Sequence, residues 1–81
     1  MGKIEKYYNI KEMHRDRVIL FRAGDFYEAY EMDALLLADL LGLVLTIRKA
    51  MTVCAFPHHA IDTYLPIIIR SGKMVCIADE L

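Results

Sequence analysis

The sequence is poor in cysteine, and the two it has, Cys54 and Cys76, follow no secretory leader: Met1-Gly2-Lys3-Ile4-Glu5-Lys6 has no apolar core. They are expected to be reduced thiols of a cytoplasmic protein, not a disulfide frame. Long apolar runs are missing too. The most apolar stretch, Leu35 to Ile47, is broken by Asp39 and Gly42, short of the ~20 residues a spanning helix needs, so no membrane role is expected. No G-x-x-x-x-G-K-[ST] loop occurs, which argues against ATP binding. No repeat, low-complexity tract or Pro/Gly-rich linker divides the chain. Positive charge is not in excess: ten Lys/Arg face eleven Asp/Glu, for a net charge of -1. Phosphate neutralisation supplies most of the affinity of a free-standing DNA-binding domain, so any nucleic-acid contact by this chain alone should be weak. No acid–base or nucleophile set stands out, so neither catalytic residues nor a cofactor are expected.

What is present is one small domain, residues 1–81, that is 57% hydrophobic, too apolar for disorder. At this length roughly 60–65% of the unfolded surface can be buried. Residues 3–13 read as a helix with Ile4, Tyr7, Tyr8 and Ile10 as its apolar stripe. Val18 to Ala23 and Phe26 to Tyr30 read as strands hairpinned through Gly24-Asp25. Tyr30, Ala34, Leu37, Ala38 and Leu41 repeat at helical spacing and stop at Gly42. Leu43 to Ile47 and Val53 to Phe56 are further strands around a short loop, Arg48 to Thr52. Ile61, Tyr64, Leu65 and Ile68 mark a third helix, in which Pro66 should cost about 3 kcal/mol or cause a kink. Ser71-Gly72 ends it, and Met74 to Ala78 is a last strand. The order α-β-β-α-β-β-α-β predicts an α+β fold, a small mixed β-sheet with about three helices packed on it.

Residues i and i+2 share a strand face, so Phe26 and Glu28 point one way, Tyr27 and Ala29 the other. An unpaired buried carboxylate is costly, so Tyr27 and Ala29 are expected inward and Phe26 outward, toward solvent or a partner. The plainer alternative has Phe26 under a neighbouring loop and Glu28 solvated. Cys54, His58, His59 and Cys76 do not have the spacing of a standard zinc knuckle, and no metal site is expected. Tyr7, Tyr8, Tyr30 and Tyr64 fit core positions better than base-stacking ones.

Four segments carry a resemblance. Phe21-Arg22-Ala23-Gly24-Asp25-Phe26-Tyr27-Glu28, Leu43-Val44-Leu45-Thr46 with Arg48, Phe56 through Leu65, and Val75-Cys76-Ile77-Ala78-Asp79-Glu80 resemble the F-R-M-G-D-F-Y-E, L-x-L-T-x-R, V-P-Y-H-A-V-x-x-Y-L and V-A-I-C-E-Q segments of the N-terminal mismatch-recognition domain (domain I) of the MutS family of DNA mismatch repair proteins. The resemblance implies that Phe26 enters the minor groove and stacks on a mispaired base while Glu28 hydrogen-bonds to it. It implies double-stranded DNA with a mismatch or an unpaired base as the partner. Kinking discriminates because unstacking is cheapest at a mismatch. Phe56, Pro57 and His58 follow as weaker contact candidates, with Ala23 within the motif. Read from the residues alone, Arg22, Arg48 and Lys49 are candidate phosphate contacts, with a plain solvated role as the equal alternative.

The departures point elsewhere. Ala23 replaces the family's usual Met and His58 its Tyr. Val53-Cys54-Ala55 replaces M-A-G, and the loop from Arg48 to Thr52 is several residues shorter than the family's. Leu35, Pro66 and Ile67 stand where the family tends to carry Lys or Ala. Leu35 and Ile67 add apolar surface to helix faces, which suggests a second reading: an interaction module of the same fold that forms a homodimer or binds a protein partner.

Overall fold

The computed structural model describes residues 2–78. Its elements are α1 (Lys3–Met13), β1 (Arg17–Ala23), β2 (Phe26–Tyr30), α2 (Glu31–Leu41), β3 (Leu45–Arg48), β4 (Met51–Pro57), a 3-10 turn (His58–Ala60), α3 (Ile61–Arg70) and β5 (Met74–Ala78). The strands form one mixed sheet in the order β3-β4-β2-β1-β5. Only β5 runs parallel to its neighbour, β1; the other pairs are antiparallel. This is the α+β architecture and element order expected from the sequence.

Both sheet faces are covered. On one, Val18, Leu20, Ala29, Cys54 and Phe56 meet Ala34 and Leu37 of α2 and Ile68 of α3. On the other, Ile19, Phe21, Tyr30, Met51 and Val53 pack under Tyr7 of α1, with Ile4 and Ile10 beside it. Inward-facing Ala29 and half-buried Tyr27 follow the expected alternation. The far face is not the solvated surface that a carboxylate there suggested, because α1 roofs part of it.

Several placements differ from the sequence reading. Tyr30 is the last residue of β2 and caps α2; its ring lies in the α1-side core, on the face opposite the α2 stripe with which its spacing grouped it. Tyr8 is exposed while Tyr7 is buried, because adjacent helix positions point about 100° apart. Leu43 and Val44 precede the strand, which starts at Leu45. Helix α2 does end at Gly42, in the left-handed region at φ 69°, and α3 continues through Pro66. Pro66 is exposed, so water can solvate the backbone carbonyl that loses its donor.

The loop expected over 48–52 is a two-residue turn, Lys49-Ala50, between the paired residues Arg48 and Met51. Both turn residues have positive φ, 52° and 61°, the signature of a tight hairpin that favours Asn-Gly. An L-residue there costs about 1–2 kcal/mol. Ala50→Gly should therefore stabilise the domain by about 1 kcal/mol after the added unfolded-state entropy. Thermal unfolding should show a midpoint raised by ~5 °C; a lowered midpoint would contradict the turn geometry.

A polar cluster centred on Asp33 lies inside the fold. Asp33, 3% exposed, accepts the Ile19 N–H through Oδ2 at 3.0 Å and the Lys11 ammonium through Oδ1 at 2.8 Å. Lys11 also donates to the Arg17 carbonyl. The Tyr7 hydroxyl lies against Asp33, and burial together with that charge raises its ionisation well above the ordinary 10.0. One carboxylate thus ties α1, β1 and α2 together.

Candidate nucleic-acid interface

The candidate interface is built at the end of the sheet where β1 turns into β2. Ala23 pairs with Phe26 across a two-residue turn, and Gly24 takes φ 61°, where a side chain would be strained. Asp25 is pinned from the other side: its carbonyl accepts the His58 N–H at 2.8 Å. Phe26 therefore sits at the first position of a braced strand, between Ala23 on β1 and Pro57 on β4. These two neighbours are small or flat, and the ring remains 46% exposed. It is not tucked under a loop, so the plainer alternative for Phe26 does not hold.

Glu28 shares that face two residues further in, between Phe21 and Ala55. It is not solvated: the residue is only 7% exposed. Its Oε1 accepts the Tyr30 hydroxyl at 2.7 Å and the Arg48 guanidinium at 2.8 Å, and Lys3 Nζ stands 3.9 Å away. Burial pushes the carboxyl upward, but the hydrogen bonds from Arg48 and Tyr30 and the charges of Arg48 and Lys3 outweigh it. The net effect holds Glu28 below its ordinary 4.5, so it is ionised at neutral pH. The same bond raises Arg48 in turn. An ionised carboxylate is tolerated here because two cations and a hydroxyl surround it.

The remaining candidates divide by strand face. Ala23 and Pro57 flank Phe26, and His58 follows directly, half-buried, its ring edge-on to His59 at 5.7 Å between centroids. Arg48 lies on the same face, its half-exposed guanidinium donating through Nη2 to Glu28; Lys49 in the turn is exposed. Arg22 is on the opposite face, its guanidinium 5.7 Å from the Tyr27 ring centroid and bonded to the Gly24 carbonyl. Phe56 is a correction: it is 2% exposed, wedged between Tyr27 and Tyr64 on the helix-covered face, so it serves the core and cannot reach a ligand. The even–odd alternation of β4 could have shown this, since Phe56 falls out of phase with Pro57. Leu35 and Ile67 stay exposed on α2 and α3.

Sequence reasoning missed Tyr30 as a functional partner. It read the residue as helical core, and only its strand position places the hydroxyl on Glu28. Among the described residues no three His, Cys, Asp or Glu side chains gather as metal ligands. Cys54 is buried, which raises its thiol, and its strand neighbours place it on the sheet face opposite Cys76. No helix among them is long and apolar enough to cross a membrane.

The arrangement is that of a small α+β domain presenting one uncovered aromatic ring beside an ionised, positively flanked carboxylate. The chain belongs to the MutS domain I family, whose model matches residues 1–81. It is 48% identical over 83 residues to the DNA mismatch repair protein MutS of Bacteroides fragilis, covering 96% of this chain and 10% of the relative. The corresponding proteins of Salinibacter ruber and Thermotoga maritima are 43% and 41% identical, each over 96% of this chain. The chain spans about a tenth of the length of these relatives.

Proposed function

We propose that this domain recognises mispaired or unpaired bases in double-stranded DNA from the minor groove, with Phe26 as the wedge and Glu28 as the polar reader. The observation that carries the reading is the pairing of an exposed Phe26 ring with an inward Glu28 on one face of one braced strand. An apolar wedge needs exposure and a rigid mount, because unstacking a base step costs a few kcal/mol. The reader needs a fixed direction, which the Tyr30 and Arg48 contacts supply. Those contacts also meet an electrostatic objection. A bare carboxylate would be repelled by phosphates, but here Arg48 and Lys3 accompany it and offset its charge.

The domain works without a nucleotide-hydrolysing centre of its own. Its net charge of -1 gives it little phosphate grip, so it acts as the lesion-sensing part of a larger DNA-gripping assembly. The test is anisotropy of a labelled duplex carrying one unpaired thymine against its fully paired counterpart, at low salt. Two proteins are compared: the chain alone, and a chimera in which residues 1–81 replace the matching segment of the Bacteroides fragilis relative. Weak but lesion-preferring binding by the chain, strengthened in the chimera, is expected. A chimera that folds and binds both duplexes equally would refute the reading.

A further inference from the structure

The contacts to Glu28 are lopsided. The Tyr30 hydroxyl, the Arg48 guanidinium and the nearby Lys3 ammonium all address Oε1. Oε2 has no partner among the described residues. Yet no buried side-chain nitrogen or oxygen among them lacks a hydrogen-bond partner. Oε2 is therefore the oxygen that keeps contact with solvent, on the face shared with Phe26. A carboxylate free on both oxygens rotates about its last torsion and offers acceptors in several directions. One anchored through a single oxygen by two donors from different strands offers one direction only.

We propose that Tyr30 and Arg48 are positioning residues that lock Glu28 through Oε1 and present Oε2 as an acceptor-only probe, so that the site favours a base displaying an N–H donor beside Phe26. This rests on the interface reading above. The two anchors are independent: Tyr30 comes from the end of β2, and Arg48 reaches across from the edge strand β3, beyond β4. Lys3 of α1 adds charge at 3.9 Å. The cross-strand neighbours of Glu28, Phe21 and Ala55, carry none. With both anchors gone, burial alone acts on the carboxyl against the one ammonium, so it should take up a proton more readily, turn into a donor and swing free. The short turn Lys49-Ala50 is what fixes Arg48 at the end of β3.

The test uses Tyr30→Phe, which keeps the buried ring, and Arg48→Gln, at a half-exposed side chain on an edge strand, each with circular dichroism as the folding control. The first readout needs no DNA: carbon-detected NMR titration of the Glu28 carboxyl. The wild-type group should titrate below 4.5, and each substitution should move it upward, the double variant most. The second compares duplexes with one unpaired thymine and one unpaired N3-methylthymine, which lacks the donor. Wild-type protein should bind the methylated lesion roughly ten- to hundredfold more weakly, as expected for a hydrogen bond to a charged group. In the variants that ratio should shrink toward one, and shrink further as pH falls from 7 to 5, while preference for either lesion over paired duplex persists. No lesion preference in the wild-type protein overturns the interface reading itself. A wild-type preference blind to N3-methylation, or a Glu28 titration that neither substitution moves, overturns the positioning role and leaves Phe26 as the wedge.

Discussion

Phe26→Ala is expected to bind a duplex with an unpaired thymine no better than a paired one, losing ten- to hundredfold in affinity for the lesion. Stacking of a base on an aromatic side chain is worth roughly 1–3 kcal/mol by alanine substitution, and Phe26 is the exposed aromatic ring of β2, Tyr27 being half-buried and Tyr30 buried. Ala23 and Pro57 flank the position and cannot substitute for a wedge. Binding to paired DNA should hardly change, because it depends on cations rather than on the ring. Folding should hardly change either: the side chain is about half exposed, and the turn that mounts it is held by Gly24 and by the Asp25–His58 bond. Anisotropy on the two duplexes, with circular dichroism as the folding control, separates the effects. Retained preference in a folded Phe26→Ala protein would remove Phe26 from the interface.

Asp33→Ala should be the most damaging substitution in the domain, destabilising it by about 3–5 kcal/mol. Removing one member of a buried ion pair leaves the other charge uncompensated. Here it would also orphan the Ile19 N–H and leave the Tyr7 hydroxyl without its acceptor. Stability of the order of 5 kcal/mol is all that a domain this small can be expected to hold, so much of the protein should be unfolded at 37 °C. Asp33→Asn keeps an oxygen for the Ile19 N–H and gives up only the charge, so its loss should be clearly smaller. Urea unfolding followed at 222 nm measures both. A loss under about 1 kcal/mol for Asp33→Ala would mean that α1 does not depend on this carboxylate. Because α1 also carries Lys3 toward Glu28, partial release of the helix should weaken the interface as well.

The helical and strand periods were legible because each element has an apolar face to bury. Ala34 and Leu37 went where a 3.6-residue period puts them, and Ala29 where a period of two does. Phe26 was legible as an outward ring for the same reason, since Tyr27 and Ala29 fill the inward positions of a five-residue strand. Glu28 was not legible. A carboxylate in a strand suggests solvent, and what reverses that is the arrival of Arg48 from twenty residues away and Lys3 from a helix on the same face. Tyr30 was misassigned because spacing alone cannot tell the last residue of a strand from the first of a helix. Asp33 gave no signal at all, since an acid in the first turn of a helix is what the helix dipole favours anyway.

The sequence by itself determined the element order, the ends at Gly42 and Ser71-Gly72, and the hairpin that points Phe26 outward. Those follow from local periodicity and turn chemistry, which act over a few residues. Tertiary structure alone decided that α1 would roof the second face and that the 49–50 turn would dock Arg48 on Glu28. It also decided which carboxylate oxygen stays free. Each depends on groups far apart in the chain meeting in low-dielectric surroundings, where a charge is tolerated only with its partners present, and no spacing rule along the sequence encodes that meeting.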